Sequence, residues 1–306
     1  MKYGRNETLL KDFMFFLVLA SMVIFIACFD YKAAGGVADN AGQAIRNLNV
    51  AGVSQKGPFV KGSPVSVQGI NCRTMKLTGE NFDGFVNSGK GDFDVRGITL
   101  SSPCALFGVT GYYLNEITGK PSSEMVTLHA ITDLSGRKNV NINLFTQLEY
   151  ERVMHLVTEK KLSFAEAKKL AEKDVLAAFG VEGEFALSED LDVFGTGDGN
   201  AALLAVSVLV QVTFDSKNVV DVAERVSELS SMIAKNGKWN EEVKNDIANW
   251  ASFAMLNGQI DSIRKKLEGL DYVGEVPAFE NVVEKFVKVV SGKPVRSFFM
   301  DDRDAF

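Results

Sequence analysis

The sequence predicts an α+β fold, in which an N-terminal antiparallel β-sandwich at residues 50–135 is followed by an α-helical bundle at residues 136–292. Short runs rich in β-branched and aromatic residues, separated by Gly, Pro, Asn and Asp, occupy residues 53–133, which is the pattern of an antiparallel sandwich or small barrel. After residue 139 the apolar residues recur at the helical period. No repeat with a period of about 34 or 40 residues is present, so the pattern predicts a bundle and not a repeat array.

The composition is that of a folded protein with a substantial core. The chain has 306 residues, of which 46% are hydrophobic and 24% are charged. This length corresponds to one large domain or two ordinary ones. The formal net charge is −6, which argues against nucleic acid as a partner because nucleic-acid-binding surfaces are basic.

The first 27 residues have the pattern of an export signal. Lys2, Arg5 and Lys11 precede an uncharged, apolar run at residues 13–27, which is the basic-then-apolar order of a secretory signal peptide. The run is short for a membrane span, because a helix that crosses a bilayer needs about 20 residues. We therefore expect residues 1–27 to be removed as a signal peptide, with an uncleaved N-terminal anchor as the alternative.

Cys28 directly follows this run and is the candidate lipidation site. The residues Phe25-Ile26-Ala27-Cys28 resemble the lipobox of bacterial lipoproteins, in which a small residue precedes a cysteine that receives diacylglycerol; Phe25 departs from the usual Leu. Acyl chains anchor a protein with ~0.8 kcal/mol per buried CH₂. The resemblance implies that the membrane is a partner through an N-terminal lipid. Because Phe29, not Asp, follows the cysteine, it also implies a cell-envelope location as an outer-membrane lipoprotein. A plain signal peptide with an incidental cysteine is the alternative.

Two weakly patterned segments flank the predicted domains. Residues 28–49 are rich in Ala, Gly and Asn, which is typical of a flexible tether. Residues 293–306 form a C-terminal tail that is too short to fold alone.

Cys72 and Cys104 are the other two cysteines of the chain. An even pair in an oxidising compartment indicates one disulfide. Closing a loop of ~32 residues would stabilise the fold by ~3 to 4 kcal/mol on the chain-entropy model. Two buried thiols are the alternative, and a metal site is disfavoured because no CxxC motif or neighbouring His accompanies either cysteine.

The strand half begins with a segment that resembles a known domain type. Predicted strands cover residues 65–70, 84–87, 93–100, 105–115 and 125–133. The segment VSQKGPFVKGSPVSV at residues 53–67 resembles the opening of transthyretin-like, carboxypeptidase-regulatory-type domains, where a strand, a glycine turn and a second strand begin a seven-stranded sandwich. The resemblance implies a structural or binding module.

The helix half contains one element with clear start and stop signals. Ser163 and Glu166 form a capping box before an amphipathic run, and Gly180 stands where that helix would end. Further helices are predicted at residues 141–159, 200–212, 218–236, 240–256, 259–267 and 277–290. Pro277 is expected in the first turn of the last helix.

Four segments together resemble a paralogous family of surface lipoproteins from fibre-degrading bacteria. They are GVSQKGPFVKGSPVSV (52–67), GYYLNEITGK (111–120), the stretch from NVNINLFTQLEYERV to SFAEAKKLAEKDVLAAFG (139–180), and DLDVFGTGDGNAALLAVSVLVQ (190–211). The resemblance implies a lipid-anchored sandwich with a helical domain, and a link to the cell surface where plant fibre is bound. It implies no activity.

Two glycine-containing segments imitate ligand-binding motifs. Residues 84–91 match the GxxxxGK part of a phosphate loop, but Gly91 replaces the Ser or Thr that binds Mg²⁺ and a strand follows; we interpret the segment as a hairpin loop. Asp192, Asp198 and Asn200 lie in an acidic, glycine-rich loop that weakly resembles a calcium site. The closing carboxylate of such a site is missing, and we favour helix capping by Asp198 or Asn200. We therefore predict neither a metal nor a cofactor.

The sequence contains few signals of catalysis. His129 and His155 are the only histidines, and HExxH, GxSxG and CxxC motifs are absent. Glycosidase chemistry needs only two carboxylates at a set separation, which sequence cannot identify, so no catalytic residue is predicted. Tyr112, Tyr113 and Trp239 are candidate contacts for a glycan. In a strand, one of two consecutive tyrosines points inward and the other outward, so we expect one of this pair in the core.

Two hypotheses for function follow. The first is a non-catalytic envelope lipoprotein that binds or supports a polysaccharide or another envelope protein. The alternative is an envelope glycan hydrolase with two unrecognised carboxylates across a cleft. A deep pocket with paired Asp or Glu would favour the hydrolase.

Overall fold

The computed structural model describes residues 43–214, 220–271 and 273–292, and over these ranges the chain forms nine strands and seven α-helices. The prediction of a mixed α+β fold is confirmed. The predicted signal peptide, Cys28 and the C-terminal tail at 293–306 lie outside the described residues, as does most of the predicted tether.

The strands form two principal sheets and one short hairpin. One sheet has the order β4-β1-β9, the other has the order β3-β2-β5-β8, and β6 pairs with β7. The bounds are β1 Ile45–Gln55, β2 Pro64–Ile70, β3 Leu77–Phe85, β4 Asp92–Leu100, β5 Cys104–Gly111, β6 Leu114–Asn115, β7 Lys120–Pro121, β8 Val126–Asp133 and β9 Ile142–Asn143. Four of the five predicted strands are recovered, with residues 105–115 divided between β5 and β6. The strand predicted at 84–87 overlaps β3 only at residues 84–85.

The two sheets bury their apolar faces in one core because side chains alternate along each strand. In β2, Val65 and Val67 are buried, and they lie opposite Val109 and Phe107 of β5. Val50 of β1 and Val95 of β4, which are partners in the other sheet, belong to the same buried cluster. Residues from both sheets therefore share a single hydrophobic interior.

Strand β1 corrects two predicted boundaries. It begins at Ile45, so residues 45–49 belong to a sheet and not to the tether predicted at 28–49. It also pairs in parallel with β9, where Ser54 lies opposite Ile142. Residues beyond the predicted boundary at 135/136 therefore complete a sheet of the strand half.

The helices are α1 Leu144–Thr158, α2 Phe164–Ala178, α3 Asp198–Leu209, α4 Val222–Asn236, α5 Glu241–Leu256, α6 Gln259–Glu268 and α7 Phe279–Ser291. The capping box of α2 is confirmed: the Ser163 hydroxyl accepts a hydrogen bond from Glu166 N–H, and the Glu166 carboxylate accepts one from Ser163 N–H. A second, unpredicted box starts α1, where Asn143 and Thr146 bond each other's backbone N–H groups at 3.0 and 2.9 Å.

The expected position of Pro277 is wrong. Helix α7 begins at Phe279 after Ala278, so Pro277 precedes the helix. Its carbonyl oxygen accepts hydrogen bonds from Phe279 N–H at 2.7 Å and from Arg264 Nη2 at 2.8 Å. These contacts hold the carbonyl in a turn instead of a helical ladder.

The strand and helix halves are packed as one compact unit. Helix α3 is buried along its length from Ala201 to Leu209 and joins the same cluster as the inner faces of both sheets. A helix that is apolar on all sides needs such an interior position. None of the described helices has both the length and the apolar composition needed to cross a membrane.

A disulfide joins Cys72, after β2, to Cys104, the first residue of β5, with their Cα atoms 5.4 Å apart. The bridge lies in a second, smaller buried cluster together with residues of α1 and α2, including Leu156 and Ala167. It thus fastens the ends of two neighbouring strands beneath these helices.

Candidate binding groove

The three candidate glycan contacts lie in different environments. Tyr112 is 45% exposed, whereas Tyr113 is buried and packs against Phe59 at a ring-centroid distance of 6.4 Å. Burial, followed by the negative charge of Glu116, raises the pKa of the Tyr113 phenol. Of these two tyrosines, only Tyr112 presents a ring to solvent.

Trp239 is a packing residue that also borders a surface groove. Its ring is 5% exposed, lies 4.8 Å from the ring of Phe179 and 6.1 Å from that of Phe286, and its Nε1–H donates to the carbonyl oxygen of Ala178 at 2.7 Å. These contacts fasten the α4–α5 connection onto α2 and α7. The face of the indole is therefore unavailable for stacking on a sugar.

The groove beside Trp239 has a volume of about 800 Å³ and lies between one face of α4 and the α4–α5 connection. The α4 residues Glu224, Ser227, Glu228 and Ser231 line it and recur every three or four positions, which places them on one face of the helix. We call this surface the α4 groove. The carboxylate of Asp221 caps α4 by accepting a hydrogen bond from Glu224 N–H at 2.9 Å. Glu224, the first groove residue, therefore lies in the first turn of the helix.

Most residues that line the α4 groove are polar and carry both signs of charge, but Met232 and Trp239 also line it. Glu224, Glu228 and Glu241 supply carboxylates, and Lys235 and Lys238 supply ammonium groups. Carboxylate oxygens accept hydrogen bonds, ammonium groups donate them and serine hydroxyls do both, as a hydroxyl-rich ligand requires. The lining thus combines hydrogen-bonding groups with apolar surface.

A pair of buried carboxylates lies elsewhere in the molecule. Lys168 of α2 places its Nζ 2.7 Å from Glu149 Oε2 and 2.8 Å from Glu189 Oε1, and the Ser188 hydroxyl donates to Glu149. Glu149 and Glu189 are each 1% exposed. The Lys168 cluster therefore contains paired carboxylates that a polysaccharide could not reach.

Burial and mutual repulsion shape proton binding in the Lys168 cluster. Burial raises the pKa of Glu149 by more than the positive charge of Lys168 lowers it. Burial also opposes ionisation of Glu189, but Lys168 and then Arg137 outweigh it and lower that pKa. Nearby on α2, burial and the charge of Glu149 raise the pKa of Glu172 to about 7. Sequence reasoning missed this cluster because no local motif links its members.

The acidic, glycine-rich loop that contains Asp192, Asp198 and Asn200 is occupied by its own hydrogen bonds. Asp192 Oδ1 accepts from Gln55 Nε2 at 2.9 Å and from Phe194 N–H at 2.8 Å, and Asn200 Oδ1 accepts from Asp192 N–H at 2.8 Å. Capping of α3 by Asp198 or Asn200 is wrong: Gly197 is the N-cap and no side chain caps the helix. Asn200 instead fastens the loop. Over the ranges that the structure describes, no group of three or more His, Cys, Asp or Glu is placed to hold a metal ion.

Comparisons of the chain with protein-family models, with curated proteins and with solved structures gave no match in any of the three.

Proposed function

We propose that this chain is a lipid-anchored protein of the cell envelope, in the outer membrane, that binds a ligand without transforming it. The anchoring part is supported by the order of basic residues, apolar run and Cys28 at the N-terminus. The binding part is supported by the α4 groove, a concavity of about 800 Å³ lined mostly by polar residues, several of them on one face of α4. The groove is the observation on which the proposal depends.

The ligand class we propose is a neutral or weakly charged polysaccharide. The groove offers serine hydroxyls, carboxylates and lysines in alternation, as at Ser227, Glu228 and Lys235. The three glutamates outnumber the two lysines of the lining and disfavour a strongly anionic polymer, whereas sugar hydroxyls can bond to the serines, carboxylates and ammonium groups. Another envelope protein is the second partner class, which the binding experiment distinguishes.

The finer fold assignment also belongs to this proposal. Four strands of one sheet and three of the other share a core, which agrees in number with the seven-stranded, transthyretin-like sandwich that residues 53–67 resemble. We propose that this sandwich presents the helices, and with them the groove, to the partner.

Lipid anchoring is tested by metabolic labelling with a fatty-acid analogue, followed by membrane fractionation. The wild type should carry the label and sediment with membranes, and Cys28→Ala should lose both properties. The matched control is the double variant Cys72→Ser with Cys104→Ser, which should keep the label because its thiols are not the acceptors. An unlabelled wild-type chain that still begins at Met1 would refute the anchor.

Ligand binding is tested with the detergent-solubilised full chain against plant and envelope polysaccharides. Ser231→Arg fills the groove and should weaken binding at least about tenfold, a loss of about 1.4 kcal/mol. Ser101→Arg, at an exposed position between β4 and β5, should leave the affinity unchanged. Equal affinities for the two variants would remove the groove from the proposal.

The hydrolase alternative is tested by incubating the same polysaccharides with the chain and measuring the release of reducing ends. The paired carboxylates Glu149 and Glu189 are enclosed and bound to Lys168, so we assign the hydrolase alternative to accessible glutamates of the α4 groove, such as Glu224 and Glu228. Release of reducing ends that is lost in Glu228→Gln would establish the hydrolase and overturn the non-catalytic proposal.

A further inference from the structure

Lys56 is a fully buried lysine at the junction of the two halves of the molecule. It follows β1 directly, and its side chain and that of Glu116 are both 0% exposed. Its Nζ lies 2.8 Å from Glu116 Oε2, 3.1 Å from Glu116 Oε1 and 2.8 Å from the backbone carbonyl oxygen of Ser207 on α3. It also lies 5.3 Å above the centre of the Tyr113 ring. The amine is thus held in a fixed position away from water.

The carboxamide of Gln211 shares the same two acceptors. Gln211, just beyond the end of α3, donates from Nε2 to Glu116 Oε2 at 2.8 Å and to the Ser207 carbonyl oxygen at 3.2 Å. The lysine amine and the glutamine amide nitrogen are therefore within two hydrogen-bond lengths of each other, with the Glu116 carboxylate bonded to both. Within the described part of the chain, Gln211 Oε1 is buried without a hydrogen-bond partner.

These three groups have complementary chemical roles. A lysine in a desolvated site becomes a nucleophile when it loses its proton, and burial lowers the pKa of Lys56 more than Glu116 raises it. A carboxylate bonded to both nitrogens can carry a proton from one to the other. A carboxamide supplies the electrophilic carbon and a nitrogen that leaves as ammonia.

We propose that Lys56 and Gln211 form an intramolecular isopeptide bond, with Glu116 as the group that transfers the protons. The bond would tie the end of β1 to the end of α3 and so join the strand half to the helix half. Like any cross-link, it would restrict the unfolded chain, but reducing agents would not break it.

The reaction balances without an oxidant or a cofactor. Glu116 takes a proton from the Lys56 ammonium group, and the neutral Nζ attacks Gln211 Cδ to form a new N–C bond. Glu116 then delivers a proton to Nε2, the Cδ–Nε2 bond breaks, and ammonia leaves. The Nζ gives up its second proton, so the products are a secondary amide and one ammonium ion.

The test is peptide mapping by mass spectrometry of the folded full-length chain after trypsin digestion. We expect the peptide bond after Lys56 to stay uncut, because trypsin does not cleave after an acylated lysine. We also expect the Lys56 and Gln211 peptides to appear joined, with the mass of one ammonia missing. Separate peptides of unmodified mass would overturn the proposal.

Two comparisons isolate the chemistry. Lys168, which is also held between two glutamates but has no carboxamide among its hydrogen-bond partners, is the internal control and should be cleaved normally. Glu116→Gln should give separate, unmodified peptides if it folds, and a joined product in that variant would refute the role of Glu116. If the variant does not fold, the wild-type map still decides whether the bond exists.

Discussion

Gly91 joins the loop between β3 and β4 to strand β1 through a backbone hydrogen bond. It closes the loop between β3 and β4 with a φ of +89°, and its carbonyl oxygen accepts a hydrogen bond from Ser54 N–H of β1 at 2.8 Å. A Cβ at this position would lie 2.4 Å from the Ser54 carbonyl oxygen. The interpretation of residues 84–91 as a hairpin loop holds in part: residues 84–85 end β3, and residues 86–91 connect to β4, which belongs to the other sheet and meets this segment in a bridge between Val86 and Phe93.

The first prediction concerns the close approach of Gly91 to the Ser54 carbonyl oxygen. Gly91→Ala should lower the free energy of unfolding by about 1–3 kcal/mol, because it combines a left-handed backbone with a backbone clash. Gly89→Ala is the control: a Cβ there meets nothing within 4 Å, so its effect should stay within about 0.5 kcal/mol. Urea unfolding measures both, and equal losses would contradict the explanation.

The Lys168 cluster yields a prediction with a defined pH dependence. Lys168→Met removes the one cation that bonds to both Glu149 and Glu189, which should cost about 3–5 kcal/mol at pH 7. Without the lysine, the folded-state pKa of both carboxyls rises above the unfolded value. The contribution of a raised carboxyl to stability is present at low pH and is lost as pH rises through the folded-state pKa.

The loss caused by Lys168→Met should therefore shrink as the pH falls towards 5, because the two carboxyls then bind protons. Chemical unfolding at pH 5 and at pH 8 measures the difference. Lys169→Met, which changes an exposed neighbour, should have little effect at either pH. A Lys168→Met loss that is independent of pH would argue against a buried ionic cluster.

At the scale of elements, local signals predicted correctly and distant ones did not. Helix α2 was predicted from Ser163 and Glu166, which interact within one turn. Strand β9 is only two residues long, and it exists because Ile142 lies beside β1, far away in sequence. The α4 groove could not be predicted because its residues look like an ordinary solvent-facing helix stripe. Lys56 likewise looks like a surface charge until α3 covers it.

The disulfide between Cys72 and Cys104 links the segment after β2 to β5 covalently. The sequence allowed either this bridge or two buried thiols. Removing the bridge in Cys72→Ser with Cys104→Ser should lower the free energy of unfolding by about 3–4 kcal/mol, because it closes a loop of 32 residues. The wild type in reducing buffer should lose a similar amount. The double variant should not respond to reductant, and a response there would assign the effect to something other than this bridge.

At the scale of the whole molecule, the two halves are bound by groups that each half alone would leave unpaired. Val53 N–H of β1 donates to Asn141 Oδ1, beyond the predicted boundary, at 3.0 Å. The Gln55 side chain at the end of β1 accepts from Val193 N–H at 3.0 Å. Buried polar groups that lose such partners cost about 1–3 kcal/mol each. The halves should therefore be stable together and not apart.

The last prediction tests this dependence by dividing the chain at the predicted boundary. A fragment that ends at residue 135 lacks β9 and α3, so its β1 has a free edge and Lys56 has lost its Ser207 contact. We expect it to show no cooperative thermal transition by circular dichroism, and the fragment from residue 136 to behave likewise. Mixing or co-expressing the two should restore a folded complex, whereas the intact chain should unfold in one transition. Two fragments that each unfold cooperatively would show that the shared interior is dispensable and that the halves are independent domains.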